Sequence, residues 1–399
     1  MSSTASSQSR AMMPAERRAT FGLASIFGLR MFGLFLILPV FSLHGGELQG
    51  ATPMLIGLAL GAYGLTQALL QIPMGWASDH WGRRPVIITG LLVFALGSVL
   101  AALSESIYGV IAGRALQGGG AIAAAVMALA SDLTRDSQRT KAMAVIGMSV
   151  GGAFLAALVV GPLMAASLGL AGLFWLTALL ALAALLVLWL GVPEGEARPA
   201  VRTGPGPRFR EMLRDRNLWR LDLGIFVLHL ILTAGFVALP LLLRDRLGLP
   251  GEAHWRVYVP VLLLSVVALV PAIGFGERRG RMHQLVPGTV LALLMALLLL
   301  ALAPGAAWLW FALWLYFSAF NILEASLPSL ISRFVDPSAR GRALGVYSTA
   351  QFAGAFVGGL AGGLLYGLGG SSLLFLGLAA LCVPWLLATL GMGRVPGRG

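Results

Sequence analysis

Apolar stretches carrying few or no charges alternate with short polar breaks along almost the whole chain. Each is close to or above the ~20 residues that cross the hydrocarbon layer of a bilayer as an α-helix. The pattern predicts helix 1 over 18–43, helix 2 over 53–79, helix 3 over 85–103 and helix 4 over 107–131. An uncharged run over 142–193 has 52 residues, enough for two crossings, and the stretch 167–172 supplies the turn between helices 5 and 6. Residues 194–217 are rich in Pro, Gly and Arg and predict a linker, partly a basic surface helix around 209–216. Helix 7 follows over 218–243, helix 8 over 255–276, helix 9 over 285–303 and helix 10 over 306–332. A second uncharged run over 343–393, 51 residues long, holds helices 11 and 12.

Composition agrees with this pattern. The chain is 58% hydrophobic and 11% charged, against about 25% charged in soluble domains. A net charge of +12 would suggest a nucleic-acid partner in a soluble protein. Its distribution argues otherwise. Of the 28 Lys and Arg, three (Arg244, Arg246, Arg256) fall on one side of the predicted helices and two (Arg30, Arg114) inside them. The remaining 23 fall in the other set of connections and the tails. That bias places both termini in the cytoplasm of a multi-pass inner-membrane protein. Residues 1–16 are Ser-rich without an apolar core, which predicts a disordered cytoplasmic tail and not a secretory signal. One cysteine, Cys382, permits no disulfide framework, and no Cys/His spacing suggests a metal. No Gly-x-x-x-x-Gly-Lys loop is present, so ATP-driven pumping is not expected. No cofactor is implied.

The break between helices 2 and 3 reads Gly75-Trp-Ala-Ser-Asp79-His-Trp-Gly82-Arg83-Arg84. Gly75 would let the end of helix 2 approach a neighbour closely. Asp79 could accept from backbone N–H groups at another helix's N-terminus, here near Gly341 and Arg342. Gly82 suits the sharp reversal. Arg83 and Arg84 suit an anionic cytoplasmic interface. Asp132 closes helix 4 at the same level and is expected to pair with Arg83 or Arg84, so that the group forms a conformational latch.

The halves repeat. Asp79-x-x-Gly82-Arg83 recurs as Glu277-x-x-Gly280-Arg281, 198 residues on. Arg139-Thr-Lys141-Ala142 recurs as Arg340-Gly-Arg342-Ala343, and Leu38-Pro39 as Leu239-Pro240, both 201 residues on. These matches predict an all-α polytopic protein of twelve transmembrane helices, with six-helix bundles over 17–193 and 218–393 and a short tail over 394–399. The substrate site then lies between the bundles near the midplane.

Charges inside spans cost ~2.5–3.5 kcal/mol at the helix centre on insertion scales, and so mark candidate function. Arg30 lies in helix 1. Arg114 lies in helix 4 with Gln117 three residues on, and His229 in helix 7 seven residues after Asp222. Glu324 lies in helix 10 with Asn321 three residues before it. Each has a structural alternative: Arg30 could pair with a carboxyl, Glu324 could be a neutral packed carboxyl, and Asp222 reads as a boundary residue. Phe236, Trp314 and Met127 are candidate apolar contacts for a substrate, although such residues are commoner as packing.

The 75–84 pattern resembles the loop signature of the major facilitator superfamily, the twelve-helix secondary transporters. In that superfamily helices 1, 4, 7 and 10 line the central cavity. Arg114-Ala-Leu-Gln-Gly-Gly-Gly-Ala resembles the helix-4 signature associated with proton coupling. The helix-5 antiporter signature matches only in part: Gly161-Pro162 is present, but Ala157, Ala165 and Ala166 stand where glycines are expected. Residues 14–18, 64–67, 113–118, 131–135 and 327–332 are most similar to the YajR-like drug–proton antiporters. In that group Glu324 and His229 match an intramembrane titratable pair. Its named member carries a soluble C-terminal domain, whereas this chain ends seven residues after Met392. The resemblance implies a non-enzymatic, monomeric, proton-coupled exporter of small amphipathic molecules, with protons and the bilayer as its other partners. Export of sugars or metabolites, proton symport, and a non-transporting receptor or scaffold remain open alternatives at this level.

Overall fold

The computed structural model describes residues 11–194, 215–302, 305–335 and 339–393. The expected surface helix around 209–216 lies almost wholly outside them, as do the tail 394–399 and most of the tail 1–16. Helix 1 spans Pro14–Phe35 and continues, after a turn, as Phe41–His44. Helix 2 is Pro53–Trp81, and helix 3 is Arg83–Ala102. Helix 4 is split into Ile107–Gly119 and Ala123–Asp132. Helices 5 and 6 share Asp136–Gly191, reversing at Gly169 with φ +64°. Helix 7 is Arg216–Leu247, helix 8 Trp255–Arg278, helix 9 Met282–Leu302 and helix 10 Ala306–Phe334. Helices 11 and 12 share Arg340–Leu390 and reverse at Gly369 and Gly370.

Nine of the described helical stretches have the length and composition to cross a membrane. The two longest hold two crossings each, and helix 1 completes twelve. Packing follows the solvent that this implies. Leu96, Leu179, Val267 and Leu387 lie exposed on the outer surface, while Arg30, Gln67, Arg114 and Gln117 are buried. Hydrocarbon rewards neither exposed charge nor unbonded backbone, so leucine faces out and polar groups turn inward.

Three element boundaries differ from the expectation, each for a local reason. Helix 1 breaks after Phe35, with Pro39 in the interruption, because proline has no N–H to continue the ladder. Helix 4 breaks over Gly120–Ile122. There a methyl on Gly118 would stand 2.0 Å from the Tyr63 carbonyl oxygen, and one on Gly120 2.3 Å from that of Gly90. Backbone approaches that close require glycine, and a glycine run weakens the helix. Helix 1 also begins earlier than 17–18, at Pro14, so residues 14–16 belong to the helix and not to the tail expected there.

Glu16 fixes that early start. Its carboxylate accepts from the Met13 N–H at 2.8 Å, the Arg135 N–H at 2.9 Å, and Arg135 Nε and Nη2 at 2.8 and 2.9 Å. Arg135 lies in the connection between helices 4 and 5, so one buried carboxylate joins the chain's start to that loop. The Arg135 side chain draws the Glu16 pKa down from 4.5 to about 2, against the opposing effect of burial. A lowered folded-state pKa means the contact is at full strength above about pH 4.5 and is lost as pH falls toward 2. Amide exchange at Arg135, corrected for its intrinsic rate, is therefore expected to accelerate across that window. In Glu16→Gln it is expected to be fast already at neutral pH. Unchanged protection in Glu16→Gln would show that the carboxylate does not hold this junction.

The start of helix 1, the end of helix 12, the connections at 82, 133–135 and 279–281, and the facing ends of helices 10 and 11 share one side of the molecule, and the turns at 45–52, 169, 248–254 and 369–370 share the other. On the second side helices 2 and 11 touch backbone to backbone. A methyl on Gly57 would stand 2.1 Å from the Gly359 carbonyl oxygen, and one on Gly359 2.3 Å from that of Gly57. Gly61 and Gly64 meet the carbonyls of Phe356 and Phe352, and Gly363 meets that of Pro53. On the terminal side Gly147 and Gly151 of helix 5 and Gly341 and Gly345 of helix 11 have open space around them. The halves are thus closed on one side and parted on the other.

Candidate functional site

The turn between helices 2 and 3 is held from within the first half. Gly82 takes φ +98°, a conformation that favours glycine, and its repeat equivalent Gly280 takes φ +61°. Arg83 pairs with Asp79, donates to Ser78 at 3.2 Å and reaches Asp132 at 3.3 Å. Arg84 donates to the Val192 carbonyl and lies 3.7 Å from Glu194. In the second half Arg333 and Glu277 pair at the corresponding place. The anticipated reach of Asp79 to helix 11 is not what the structure records. Its bond goes to Arg83, and Gly341 faces open space because the halves are parted on this side. Nor does Gly75 mark a close approach: the nearest atom to a methyl there would be Ala124 Cβ at 3.5 Å, an ordinary contact.

Arg30 and Arg114 are both wholly buried, and their partners all belong to the first half. Arg114 donates to the helix-2 carbonyls of Ala59 and Leu60 at 3.2 Å each and to Gln117 Oε1 at 2.9 Å. Gln117 in turn donates to Ser98 Oγ of helix 3 at 2.8 Å. Arg30 donates to Gln67 Oε1 at 2.9 Å. The Arg114 guanidinium stands 4.7 Å from the Tyr63 ring centroid and that of Arg30 5.2 Å from the Phe94 ring, distances suited to cation–π attraction. Arg30 does not meet a carboxyl across the cavity. Both guanidiniums lie inside the first bundle, where carbonyls, amides and rings replace a counter-ion, and they brace helices 1, 2, 3 and 4.

In the second half, polar groups of helices 7, 10 and 11 meet one another. Gln351 Nε2 of helix 11 lies 2.8 Å from His229 Nε2 and 3.4 Å from Glu324 Oε1. His229 Nδ1 lies 3.8 Å from Glu324 Oε2. With Gln351 donating to Nε2, the neutral imidazole carries its proton on Nδ1, facing the carboxyl. His229 is 12% exposed in its side chain and Glu324 38%, while the carboxyl oxygen Oε2 itself is buried. No hydrogen bond joins Asn321 to Glu324; Asn321 donates to Ser265 Oγ of helix 8 at 2.7 Å.

Of the apolar candidates, Phe236 is fully buried, with the rings of Phe154 and Tyr258 at 6.2 and 6.3 Å. It packs the closed side and lines no opening, because the apposed halves exclude solvent there. Trp314 is half-buried beside Phe311, their ring centroids 5.7 Å apart. Met127 is half-buried against the apolar core of the first half. Gln351, Gln67 and Tyr63 were not among the candidates. The available signal was a glutamine in the middle of an apolar helix, at 351 inside the second uncharged run.

Comparison with known proteins agrees with this architecture. The sequence profile of the Major Facilitator Superfamily matches residues 23–327. The chain is 46% identical to the inner membrane transport protein YajR of Escherichia coli, over 96% of this chain and 85% of that protein. It is 27% identical to the multidrug resistance protein MdtH of Edwardsiella ictaluri, over 86% of this chain and 85% of that protein. Among solved structures, a bacterial homolog of the human lysosomal transporter Spinster, in an inward-facing and occupied conformation, aligns with a TM-score of 0.73. It has 14% identity and covers 96% of this chain and 94% of its own.

Proposed function

Because the chain belongs to the major facilitator superfamily, it carries a small solute across a membrane and is not an enzyme, and we propose that it is a proton-coupled antiporter. In this proposal it exports small amphipathic molecules by alternating access. The observation that carries the proposal is the His229–Glu324–Gln351 cluster, a carboxyl and an imidazole brought together from three membrane-spanning helices. A carboxyl there is costly to keep ionised. A proton and a substrate that bind at the same parting can exchange for one another as the opening changes sides.

The Lys/Arg bias supports a cytoplasmic open side, and with it an inward-facing conformation whose termini are inside. The pairs of Arg83 with Asp79 and Asp132 then form the unlatched cytoplasmic gate, with Gly75, Gly82 and Arg84 shaping its turn. Arg30 and Arg114, with Gln117, hold the first half rigid as it rocks. The likeness to MdtH supports drug export over sugar transport, and that to YajR supports an inner-membrane location.

The test is uptake into liposomes acidic inside, using a panel of cationic, neutral and anionic amphipathic dyes. At least one dye is expected to accumulate, and a protonophore to release it. Uptake of every dye that is equal with and without the gradient overturns proton-coupled antiport.

A further inference from the structure

Pro240 removes a hydrogen bond from within helix 7. That helix runs on through it, over Arg216–Leu247. A helical carbonyl ordinarily accepts from the N–H four residues on, and for Phe236 that residue is Pro240, which has none. Phe236 is fully buried, so bulk water does not make up the loss. Buried backbone carbonyls are nearly always paired, so this one needs a donor from elsewhere.

The donor comes from the other half. Ser42 Oγ, in the Phe41–His44 continuation of helix 1, donates to the Phe236 carbonyl oxygen at 2.9 Å. Ser42 is itself buried, so a sheltered hydrogen bond joins the two bundles on the closed side. The halves pack closely around it. The Phe236 ring meets that of Phe154 of helix 5 at 6.2 Å. A methyl on Gly251, in the turn between helices 7 and 8, would stand 3.1 Å from Leu43 Cδ1.

The internal repeat offers a contrast. Leu239-Pro240 has its counterpart in Leu38-Pro39. There the carbonyl four residues before the proline is that of Phe35, and it accepts from the Leu38 N–H at 3.1 Å. Its own chain satisfies it, and helix 1 breaks. Helix 7 continues instead, and its carbonyl is met from the partner bundle. One half therefore carries an acceptor deprived of its helical donor, and the other carries the hydroxyl that reaches it.

We propose that Ser42 and the carbonyl freed by Pro240 form a clasp that holds the side opposite the termini shut, which makes Ser42 a positioning residue for transport. This rests on the alternating access proposed above. When that side is open, water bonds to both groups and neither is penalised. When it closes, water leaves and the Ser42 hydroxyl takes its place. The bond itself gains little over water. Its weight lies in the alternative, because a buried acceptor left unmet is costly. The clasp also fixes the register in which helices 1 and 7 close. It needs no charge, and it lies seven residues along helix 7 from His229.

The experiment is amide hydrogen exchange, read by mass spectrometry on the full chain in lipid nanodiscs. It follows the segments Phe41–His44 and Gly251–Ala253, which meet at Leu43 and Gly251. The chains compared are the wild type, Ser42→Ala, Pro240→Ala and the double variant. Exchange of amides exposed only by opening scales with the open fraction. Ser42→Ala is expected to speed both segments roughly tenfold, because it leaves the carbonyl unmet in the closed form alone. With Pro240→Ala, residue 240 supplies the helical N–H, and adding Ser42→Ala is then expected to change exchange less than about twofold. Alanine in place of a helix-interior proline favours the helix, so Pro240→Ala folds. Unchanged exchange in Ser42→Ala overturns the clasp. Equal acceleration by Ser42→Ala with and without Pro240 overturns it too, since the hydroxyl would then act through packing and not through the freed carbonyl. Gly57→Val, which forces helices 2 and 11 apart, separates this from the reading it rests on. Wild-type exchange in that variant means that this side does not open, and alternating access falls together with the clasp.

Discussion

Glu324→Gln is expected to yield a transporter that exchanges a dye between equal pH compartments but accumulates none of it against a gradient. The substitution keeps the shape of the side chain and imitates its protonated form. It also keeps a group that Gln351 Nε2, 3.4 Å from Oε1, can contact, so folding and dye binding survive. What it removes is the choice between two protonation states. A proton drives the cycle only if the inward- and outward-open conformations hold it with different affinity, and a ligand with equal affinity for both shifts nothing. His229, whose Nδ1 lies 3.8 Å from Oε2, keeps a proton site of its own, but without a carboxylate beside it that site has no partner whose charge changes. Asn321→Ala is the control: Asn321 is tied to Ser265 and not to Glu324, so coupling is expected to persist. Uphill accumulation by Glu324→Gln with wild-type pH dependence would make the carboxyl structural and pass the coupling role to His229 or Asp79.

Much of this architecture is legible in the sequence because its determinants are local. An uncharged run of 52 residues must cross twice, and the reversal falls on Gly169 inside the expected 167–172. Gly82 and Gly280 were matched by the repeat and both take positive φ. Arg114 and Gln117, three residues apart on one helix, do bond. What was not legible depends on a distant partner. Arg30 reads alike whether it faces a cavity or a glutamine on helix 2. Phe236 reads alike as cavity lining or as packing, and only the closed side decides. Gln351 lies in a run whose lack of charge drew attention away from it. Asp79 could meet Arg83 or the start of helix 11, and nothing local in the sequence chooses between them; the structure pairs it with Arg83.

The seam of glycines supports the second large effect. Gly57→Val and Gly359→Val are each expected to prevent closure of the side opposite the termini and so to abolish transport, while leaving both bundles folded. The reason is what a side chain would strike. At Gly57 the obstructing atoms are the Gly359 carbonyl oxygen at 2.1 Å and the Gly363 nitrogen at 2.7 Å. These are backbone atoms of another helix, which no rotamer change can move aside. The helices must separate, which is the motion that opens that side. Overpacking costs about 1–3 kcal/mol even where neighbouring side chains can yield. Conformational states of such proteins differ by only a few kcal/mol, so a penalty of about 3 kcal/mol moves their ratio roughly a hundredfold. Within each bundle the helices keep their packing, because the clash lies between bundles. Spin labels at Gln49 and Leu368, both exposed beside the seam, are expected to report longer distances in either variant than in the wild type. Gly46→Val, on the same side but with nothing within 4 Å of a methyl there, is expected to leave the distances unchanged. If Gly57→Val keeps the wild-type distance distribution and still transports, the backbone contact between helices 2 and 11 is not what closes that side.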